Sequence, residues 1–349
     1  MVIVMAADAT AADVQAIIAR VESAGGEASV SRGVSRTIIG LVGDIDQFVM
    51  LNLEGMRGVS NVMRVSAKHK LVSREHHPER SVVQVEGVPI GARTLTLIAG
   101  PCAVETPDQT LRAARMARAA GATLLRGGAF KPRTSPYTFQ GLGERGLQIL
   151  AEVRDEIGLP IVTEVVDAHH VEMVAAYADM LQIGTRNMQN FALLQAVGRA
   201  GKPVLLKRGM SATIEEWLMA AEYIAQHGNL DIVLCERGIR TFETATRNTL
   251  DISAVPVAQR LSHLPVIVDP SHSGGRRDLV LPLSRAAVAV GADGIIVDVH
   301  PDPDLALCDG AQALVDDDLD ALARTMDELS VCVGRRLAAQ LIMAGAGAL

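Results

Sequence analysis

The residue types best suited to chemistry gather in one short segment that follows an apolar run. It reads Leu-Leu-Arg-Gly-Gly-Ala-Phe-Lys-Pro-Arg-Thr-Ser, with cations at Arg126, Lys131 and Arg133 and hydroxyls at Thr134 and Ser135. Arginine offers a planar fork to phosphate or carboxylate, lysine offers a point charge, and hydroxyls add hydrogen bonds. Packing gives no reason to place three cations beside glycines. The segment therefore predicts a polyanion site, with a solvated basic loop as the alternative.

The same arrangement, an apolar run followed by a charged or metal-binding residue type, recurs along the chain from Arg93 onward. The apolar runs lie at 95–99, 123–125, 160–163, 180–183, 203–206, 231–234, 265–268 and 294–297. The residues that follow them include Cys102, Arg126, Glu164, Arg186, Lys207, Arg237, His272 and Asp298. Random surface polarity would mark both ends of the runs equally, so this asymmetry favours an enzyme over a purely structural protein.

Helical patterns separate the apolar runs. They lie, for example, at 107–120, 146–157, 168–177, 214–227 and 279–290. Alternating strands and helices, with strands apolar on both faces, predict a parallel sheet, and eight such units predict a closed (β/α)8 TIM barrel over residues 93–349. Active sites of such barrels lie at the carboxyl ends of the strands. An open doubly wound sheet is the alternative, but no GxGxxG segment follows the first run.

A smaller module precedes the barrel. Strand patterns at 2–5, 27–32, 36–42 and 59–65 alternate with helices that start near Thr10 and Asp44, with a turn at 33–35. This βαββαβ order is typical of a small α+β ferredoxin-like domain. We predict that domain over residues 1–67, and over 68–92 a linker with a hairpin at the mouth or the base of the barrel. No catalytic cluster occurs in the module, which favours a regulatory or assembly role.

The composition limits the classes of partner. The chain has 349 residues, 49% of them hydrophobic and 3% aromatic, and a net charge of -7. An acidic chain with no basic tail argues against nucleic acid, and no apolar run is long enough for a membrane span. The short apolar start, Met1 to Met5, does not look like a signal peptide. Four widely spaced cysteines without a CxxC pair predict a reducing, cytoplasmic location.

Two sets of candidate site residues can be separated by their chemistry. The cations are Arg126, Lys131, Arg133, Arg186, Lys207 and Arg237. They would repel one another unless anions lay between them, and two phosphorylated substrates, one also bearing a carboxylate, would account for six. The second set is Cys102, His272, Asp298 and Asp309. A thiolate, an imidazole and two carboxylates form a plausible divalent transition-metal site, although each residue taken alone has an ordinary structural interpretation.

With these residues in place, the barrel resembles the 3-deoxy-D-arabino-heptulosonate 7-phosphate (DAHP) synthase family, which opens the shikimate pathway. The matching segments are 98–102, 126–136, 182–187, 206–209, 235–238, 269–272 and 307–310. The N-terminal module resembles the ferredoxin-like regulatory domain of the type I beta subgroup, in which an aromatic amino acid closes the active site. The resemblance thus implies a tyrosine or phenylalanine effector at that domain, and a homotetramer.

The resemblance also implies the reaction and its two substrates. Phosphoenolpyruvate would condense with erythrose 4-phosphate and water to give DAHP and inorganic phosphate, in the biosynthesis of chorismate and the aromatic amino acids. The residues implied to bind the phosphate and carboxylate of phosphoenolpyruvate are Arg126, Lys131, Arg186, Lys207 and Arg237. Those implied to hold erythrose 4-phosphate are Arg133, Thr134 and Ser135. Holding both anions at reacting distance would supply the entropic part of the rate gain.

The resemblance also implies a divalent metal of the manganese, iron, cobalt or zinc class. Its ligands would be Cys102, His272, Asp298 and Asp309, and it would act as a Lewis acid on the aldehyde. The catalytic residues would be Lys131, Glu164 and His272, with Glu164 or the metal activating the water that adds to the cationic carbon. One position departs from the family, which usually has glutamate where this chain has Asp298. Aspartate is shorter by one methylene, so either the backbone shifts inward, a water bridges to the metal, or the metal is held more weakly.

Three rival functions stay open at this stage. The related 3-deoxy-octulosonate 8-phosphate synthases use arabinose 5-phosphate and typically carry Lys-Ala-Asn-Arg-Ser where this chain has Lys-Pro-Arg-Thr-Ser at 131–135. The proline and arginine here favour the four-carbon sugar. A Schiff-base aldolase would use Lys207 as its nucleophile. A non-catalytic metal or phosphosugar sensor would keep the ferredoxin-like module, with a metal site weakened by Asp298.

Overall fold

The computed structural model describes residues 1–32, 37–63, 69–91 and 93–346. The chain divides into two compact units, Met1–Lys68 and His69–Leu349. Segment 69–91, which the sequence suggested as linker and hairpin, lies in the second unit together with the barrel. None of the helices in the described ranges is both long enough and apolar enough to cross a membrane.

The first unit is a four-stranded antiparallel sheet with two helices. Its elements are β1 (Val2–Met5), α1 (Ala11–Ser23), β2 (Glu27–Arg32), β3 (Thr37–Val42), α2 (Ile45–Met50) and β4 (Val59–Met63). The strand order is β2-β3-β1-β4, so the predicted ferredoxin-like fold is confirmed. Thr10 caps α1, since its hydroxyl accepts from the Asp13 amide at 3.3 Å while Asp13 accepts from the Thr10 amide at 2.8 Å. The predicted turn at 33–35 lies outside the described residues.

The second unit is a closed barrel of eight parallel strands. They are β7 (Thr94–Gly100), β8 (Leu124–Arg126), β9 (Ile161–Glu164), β10 (Met180–Ile183), β11 (Val204–Lys207), β12 (Ile232–Glu236), β13 (Val266–Val268) and β14 (Gly294–Asp298). Each strand pairs with the next, and β14 pairs in parallel with β7 from Gly294↔Thr96 to Asp298↔Gly100, which closes the barrel. A two-residue strand, β15 (Arg336–Leu337), adds to β7. The predicted (β/α)8 barrel is confirmed.

Most of the strands extend to the first polar residue after the predicted apolar run. Arg126, Glu164, Lys207, Glu236 and Asp298 are the last residues of their strands. The apolar pattern ends one or two residues earlier because it reports burial, whereas the strand is defined by its backbone hydrogen bonds. These five side chains therefore stand on rigid strand ends, and the barrel itself fixes their relative positions.

Helices surround the barrel and connect its strands. They are α3 (Pro107–Ala119), α4 (Glu144–Ile157), α5 (Val171–Tyr177), α6 (Phe191–Arg199), α7 (Ile214–Ala225), α8 (Ala254–Leu261), α9 (Pro270–Gly274), α10 (Arg277–Ala289), α11 (Asp316–Cys332) and α12 (Ala338–Ala346). Short 3-10 turns lie at Leu53–Gly55, Ala168–His170, Thr185–Asn187, Pro303–Leu305 and Gly310–Gln312. Thr106 and Thr213 cap α3 and α7 with their hydroxyls, as the sequence pattern of an N-cap requires.

A hairpin closes the amino-terminal end of the barrel. Its strands are β5 (Val82–Val85) and β6 (Val88–Gly91). Its buried side chains share one core with the inward-facing residues of the barrel strands, among them Ile98, Leu124, Val162, Leu205, Val233, Ile267 and Ile296. Thr96, near the start of β7, donates its hydroxyl to the Pro89 carbonyl at 2.9 Å. The hairpin therefore lies at the base of the barrel, which leaves the opposite end open.

The first residues of the second unit are fastened to the barrel by one buried carboxylate. Glu222, on α7, is 5% exposed and accepts hydrogen bonds from the backbone amides of Lys70, Leu71 and Val72 at 3.0, 2.9 and 3.1 Å. The Ser262 hydroxyl donates to the Val72 carbonyl at 2.6 Å. A charge buried this deeply is stable only while its donors stay in place, so the barrel depends on this segment.

Candidate active site

A large cavity opens at the carboxyl ends of the barrel strands. Its volume is about 540 Å³. The predicted site residues that line it are Arg126, Lys131, Arg133, Thr134, Ser135, Glu164, Arg186, Lys207, Arg237, His272 and Asp309. Cys102 and Asp298 are buried and lie directly against His272. The structure thus brings together all thirteen residues that the sequence singled out.

Arg126 carries a buried hydrogen-bond donor that has no acceptor in the part of the chain that the structure describes. The side chain is 4% exposed, and its Nη1 donates to the Pro101 carbonyl at 2.8 Å and contacts Asp298 Oδ1 at 3.1 Å. Within the described residues, its Nε has no hydrogen-bond partner although it is buried. A buried donor without an acceptor is costly. An anionic ligand in the cavity would supply the acceptor.

Arg237 gives the same indication from the other side of the cavity. It is 5% exposed, and its Nη1 makes one long hydrogen bond, 3.4 Å, to the carbonyl of the next residue. Burial lowers the pKa of Arg237, and neighbouring carboxylates offset this only in part. A buried guanidinium with so little hydrogen bonding is stabilised when a phosphate or carboxylate binds beside it. Arg186, by contrast, is exposed at the rim.

The loop after β8 places Lys131 against the candidate metal site. Lys131 Nζ donates to the Cys102 carbonyl at 2.9 Å and to Cys102 Sγ at 3.1 Å. Burial lowers the pKa of Lys131, but the negative charges that Cys102, Cys308 and Glu164 carry when ionised more than reverse this and hold it above its ordinary value. A Cβ on Gly128 would lie 2.6 Å from the Cys102 carbonyl oxygen, so only glycine permits this close approach.

Arg133, on the same loop, reaches the far edge of the metal site. Its Nη1 donates to Cys308 Sγ at 2.5 Å and its Nε donates to the Thr138 hydroxyl at 3.3 Å. The Thr138 hydroxyl in turn donates to the Ser135 carbonyl at 2.9 Å. The loop is therefore held by its own hydrogen bonds, and Thr134 and Ser135 line the cavity.

Four donor groups converge beneath the cavity. One ligand atom from each of Cys102, His272, Asp298 and Asp309 lies within 4.8 Å of all the others. His272 Nε2 is 3.8 Å from Cys102 Sγ, 3.6 Å from Asp298 Oδ2 and 3.7 Å from Asp309 Oδ2. Donors about 2.1 Å from a tetrahedral ion are about 3.4 Å apart. The four side chains therefore fit a divalent transition metal with only small movements.

Asp269 orients His272 toward the other three donors. Asp269 caps the short helix α9, and its Oδ1 accepts from the His272 amide at 2.9 Å. Its Oδ2 lies 2.9 Å from His272 Nδ1 and 2.5 Å from Lys207 Nζ. Burial lowers the pKa of His272, but the carboxylates of Asp269 and Asp298 more than reverse this and raise it to about 9. With Nδ1 held by a carboxylate, Nε2 is the nitrogen available to a metal.

The neighbours of Cys102 keep its thiol protonated while no cation is bound. A hydrogen bond with Cys308, burial and the charge of Asp298 together raise the pKa of Cys102 well above its ordinary value. Asp309 adopts a left-handed backbone, with φ of 54°, and its carboxylate accepts from Cys102 Sγ at 3.1 Å. A bound divalent cation would favour the thiolate and offset the charge of the two carboxylates.

Several residues of the site were missed by sequence reasoning. They are Gln182, Arg247, Asn248 and Gln312. Asn248 donates its side-chain amide to the His272 carbonyl at 3.1 Å. The long connection between β12 and α8, which carries Arg247 and Asn248, was the available signal, because long loops at strand carboxyl ends are usually functional.

His300, which follows the eighth strand, turns away from the donors. Its Nδ1 accepts from the Asp302 amide at 3.0 Å, and its Nε2 lies 3.4 Å from a carboxylate oxygen of Glu105. Glu105 also accepts from the Leu307 amide at 2.9 Å. His300 therefore ties two loops together outside the cavity.

The fold and the site define a class, a (β/α)8-barrel enzyme whose strand ends hold multiply anionic substrates beside a candidate metal centre. A family described as "DAHP synthetase I family" matches residues 72–335, and a "DAHP synthase ferredoxin-like domain" matches residues 1–67. The chain belongs to the DAHP synthetase I family. The family, the fold and the enzyme class predicted from the sequence are therefore confirmed.

The relatives agree with this assignment. The phospho-2-dehydro-3-deoxyheptonate aldolase of Thermotoga maritima is 52% identical over 334 residues, covering 96% of this chain and 99% of that protein. The 2-dehydro-3-deoxyphosphooctonate aldolase of Syntrophotalea carbinolica is 39% identical over 257 residues, covering 68% of this chain and 91% of its own length. The second relationship is more distant and covers a smaller share of this chain.

Two solved structures resemble the chain. The crystal structure of the Thermotoga maritima DAHP synthase has a TM-score of 0.88 at 51% identity, covering 96% of this chain and 98% of that one. A truncated form of the enzyme from the same organism has a TM-score of 0.72 at 54% identity, covering 76% of this chain and 98% of that one. Both agree with the fold described above.

Proposed function

We propose that this chain condenses phosphoenolpyruvate with erythrose 4-phosphate and water, releasing inorganic phosphate and forming DAHP, the first step of the shikimate pathway. The observation that carries the proposal is the cationic cavity directly above the four donor groups. Its charge suits two phosphorylated substrates, and its position at the strand carboxyl ends is where barrel enzymes work. Family membership supplies the reaction.

Phosphoenolpyruvate lies deepest in this proposal. Its phosphate and carboxylate are bound by Arg126, Lys131, Arg186, Lys207 and Arg237. The unpartnered Nε of Arg126 and the poorly paired guanidinium of Arg237 support this, because both need an anion. Lys207 Nζ donates to Asp269 Oδ2 at 2.5 Å, so its nitrogen is already engaged by a carboxylate. That pairing argues against a Schiff-base nucleophile.

Erythrose 4-phosphate binds at the outer edge, against Arg133, Thr134 and Ser135. These residues come from one loop, which positions the sugar phosphate as a unit. Arg133 reaches Cys308, directly before the metal ligand Asp309. The aldehyde end of a four-carbon sugar anchored here lies toward the donor groups, where condensation takes place.

Cys102, His272, Asp298 and Asp309 would hold a divalent metal, which supplies Lewis acidity toward the aldehyde oxygen when bound. The shorter Asp298 still belongs to the cluster, since its Oδ2 is 3.6 Å from His272 Nε2. Lys131, with its raised pKa, keeps its proton and donates hydrogen bonds beside Cys102. His272 has its ring orientation fixed by Asp269.

Glu164 is proposed to activate the water that adds to the cationic carbon. Its carboxylate accepts from the Gln182 side-chain amide at 3.2 Å and lines the cavity. It occupies its position only because residue 184 is glycine, since a Cβ there would lie 1.9 Å from Glu164 Oε1. The carboxylate is thereby held facing the cavity.

The Gly184→Ala substitution is expected to lower kcat about tenfold, because general-base positioning contributes roughly 10²–10⁴ in rate and the displaced Glu164 keeps only part of it. Gly184 has φ of -70°, which alanine adopts freely, so the melting temperature should change little. Steady-state kinetics and thermal melting check this. The control is Gly40→Ala, whose new Cβ would meet nothing closer than 3.8 Å. Unchanged kcat in Gly184→Ala would contradict the role of Glu164.

Regulation is proposed at the first unit, with tyrosine or phenylalanine as effector, in a homotetramer located in the cytoplasm. The match of residues 1–67 to the DAHP synthase ferredoxin-like domain supports a regulatory unit. The outward face of its sheet carries Ile38, Val42 and Met63, which are 40%, 65% and 45% exposed. An apolar sheet face of this kind is suited to contact with other subunits. The widely spaced cysteines support the location.

An assay of phosphoenolpyruvate consumption tests the proposed function. We expect turnover with erythrose 4-phosphate, about a hundredfold or more above turnover with arabinose 5-phosphate. A chelator should abolish it, and added manganese, iron, cobalt or zinc should restore it. Preference for the five-carbon sugar would indicate the octulosonate reaction. Undiminished turnover in chelator, with borohydride trapping at Lys207, would indicate an aldolase, and tight metal binding without any turnover would indicate a sensor.

A further inference from the structure

Two side chains that are not proposed metal ligands connect Asp298 and Asp309, the two carboxylates among the proposed ligands. Arg247 Nη1 donates to Asp309 Oδ1 at 3.0 Å and to the Gln312 side-chain carbonyl at 3.1 Å. Gln312 Nε2 donates to Asp298 Oδ2 at 2.5 Å. The orientation of the Gln312 amide follows from its partners, since an arginine can only donate and a carboxylate can only accept.

We infer that Arg247 and Gln312 are positioning residues that hold Asp298 and Asp309 in one fixed arrangement around the metal. The inference rests on the proposed metal site. Arg247 occupies the outer oxygen of Asp309, so that its other oxygen, Oδ2, faces Cys102 and His272. Gln312 holds Asp298 differently, because it donates to Oδ2, the oxygen that faces His272, while Oδ1 lies beside Arg126. A carboxylate oxygen has two lone pairs, so Oδ2 can accept from Gln312 and still face the metal. Neither carboxylate can rotate without breaking a hydrogen bond.

The hydrogen bond from Gln312 to Asp298 is buried. Gln312 is 2% exposed and Asp298 1% exposed, so water cannot replace the amide donor. Gln312 ends a 3-10 turn that begins directly after Asp309, at Gly310–Gln312. One short turn therefore carries both a proposed ligand and the residue that orients the other carboxylate. The arrangement matters especially for Asp298, because a short side chain has less freedom to find a metal than a glutamate has.

The direction in which metal affinity changes when Arg247 is removed distinguishes a positioning role from a simple charge effect. Removing a cation near a metal site should by itself raise metal affinity, because it removes repulsion. If Arg247 positions Asp309 and Gln312, its loss should instead lower affinity. Arg240 lies on the same loop and lines the same cavity, and its Nη2 contacts Met210 Sδ at 3.9 Å. Arg240→Ala therefore reports the charge effect alone.

The experiment measures the affinity of the full chain for cobalt and manganese by chelator competition, and the visible absorption spectrum of the cobalt form. We expect Arg247→Ala and Gln312→Met each to weaken binding about 10- to 100-fold and to change the cobalt spectrum. Gln312→Met keeps the side-chain volume and removes both hydrogen bonds. Arg240→Ala should leave affinity unchanged or slightly higher. The double variant should lose less than the product of the single losses, because Arg247 acts on Asp298 only through Gln312.

Each outcome decides a definite point. If the unaltered chain binds no cobalt, the proposed metal function fails before this inference is reached. If it binds and both variants keep the same affinity and spectrum, the inference is overturned. A lower melting temperature with an unchanged spectrum also overturns it, because that result indicates a structural role only. Should Gln312→Met fail to fold, the partly exposed Arg247 still provides the comparison with Arg240.

Discussion

Replacing Asp269 by asparagine is expected to lower kcat/KM about 10²- to 10³-fold. The carboxylate accepts from Lys207 Nζ, from the His272 amide and from His272 Nδ1. An asparagine of the same size must turn its NH2 group toward one of these donors. Breaking a buried ion pair on one side costs about 3–5 kcal/mol, and each 1.4 kcal/mol is worth a factor of ten. Lys207, which is proposed to bind phosphoenolpyruvate, and His272, which is proposed to bind the metal, would both lose their positions.

The charge state of Asp269 supports the size of this effect. Burial alone would raise the pKa of Asp269, but His272 and Lys207 together hold it well below its ordinary value. The carboxylate is thus ionised throughout the range in which the protein works, and asparagine removes a full charge. We expect KM for phosphoenolpyruvate to rise and the metal affinity to fall in the same variant. Steady-state kinetics and chelator competition measure the two effects separately.

Asp293→Asn is the matched control. Asp293 is also fully buried and also paired, with Arg80 and with Arg335 Nη1 at 2.5 Å, but it lies at the amino-terminal end of the barrel. We expect it to lower the melting temperature while the folded fraction keeps its kcat. Equal catalytic losses in both variants would indicate that Asp269 acts only through stability. An Asp269→Asn variant within about threefold of the original activity would contradict its positioning role.

The architecture of the barrel was predictable because burial leaves a direct signal in sequence. All eight barrel strands correspond to apolar runs, and the rim residues were found because each follows such a run. The strand ends were misplaced by one or two residues, as at Arg126 and Lys207, since hydrophobicity does not report backbone hydrogen bonds. The residues left outside the predicted strands, such as Arg126 and Lys207, are the last residues of the observed strands.

The connections within the site could not be predicted in this way. Arg247 reaches Gln312 across 65 positions, and no local pattern encodes that distance. His300 illustrates the reverse case, because it follows the eighth strand, where residues of barrel active sites lie, yet its side chain turns to Glu105. Sequence periodicity places a residue at a strand end, whereas the direction of its side chain depends on hydrogen bonds made with other loops.

Removal of residues 1–68 is expected to leave turnover within about threefold and to abolish inhibition by tyrosine or phenylalanine, whereas removal of residues 1–73 should destabilise the barrel. The division between the two units falls at Lys68 and His69, so the shorter deletion retains the three backbone amides that donate to Glu222. The longer deletion removes the three amides of Lys70, Leu71 and Val72. We expect it to cost about 3 kcal/mol or more, since hydrogen bonds to a charged group contribute about 1.5–3 kcal/mol each and the buried Val72 is lost from the core, and to lower the melting temperature by about 5–10 °C.

Glu222→Met shows whether the lost donors, rather than lost packing, cause that difference. In the full chain and in the 69–349 form, the substitution removes a carboxylate with three donors and should lower the melting temperature. In the 74–349 form, the carboxylate has already lost those donors, so the same substitution should change the melting temperature little or raise it. Thermal melting of the paired variants measures this loss of the effect. Equal destabilisation in every background would indicate that Glu222 is held by something other than these amides, and inhibition that persists in the 69–349 form would place the effector site outside the first unit.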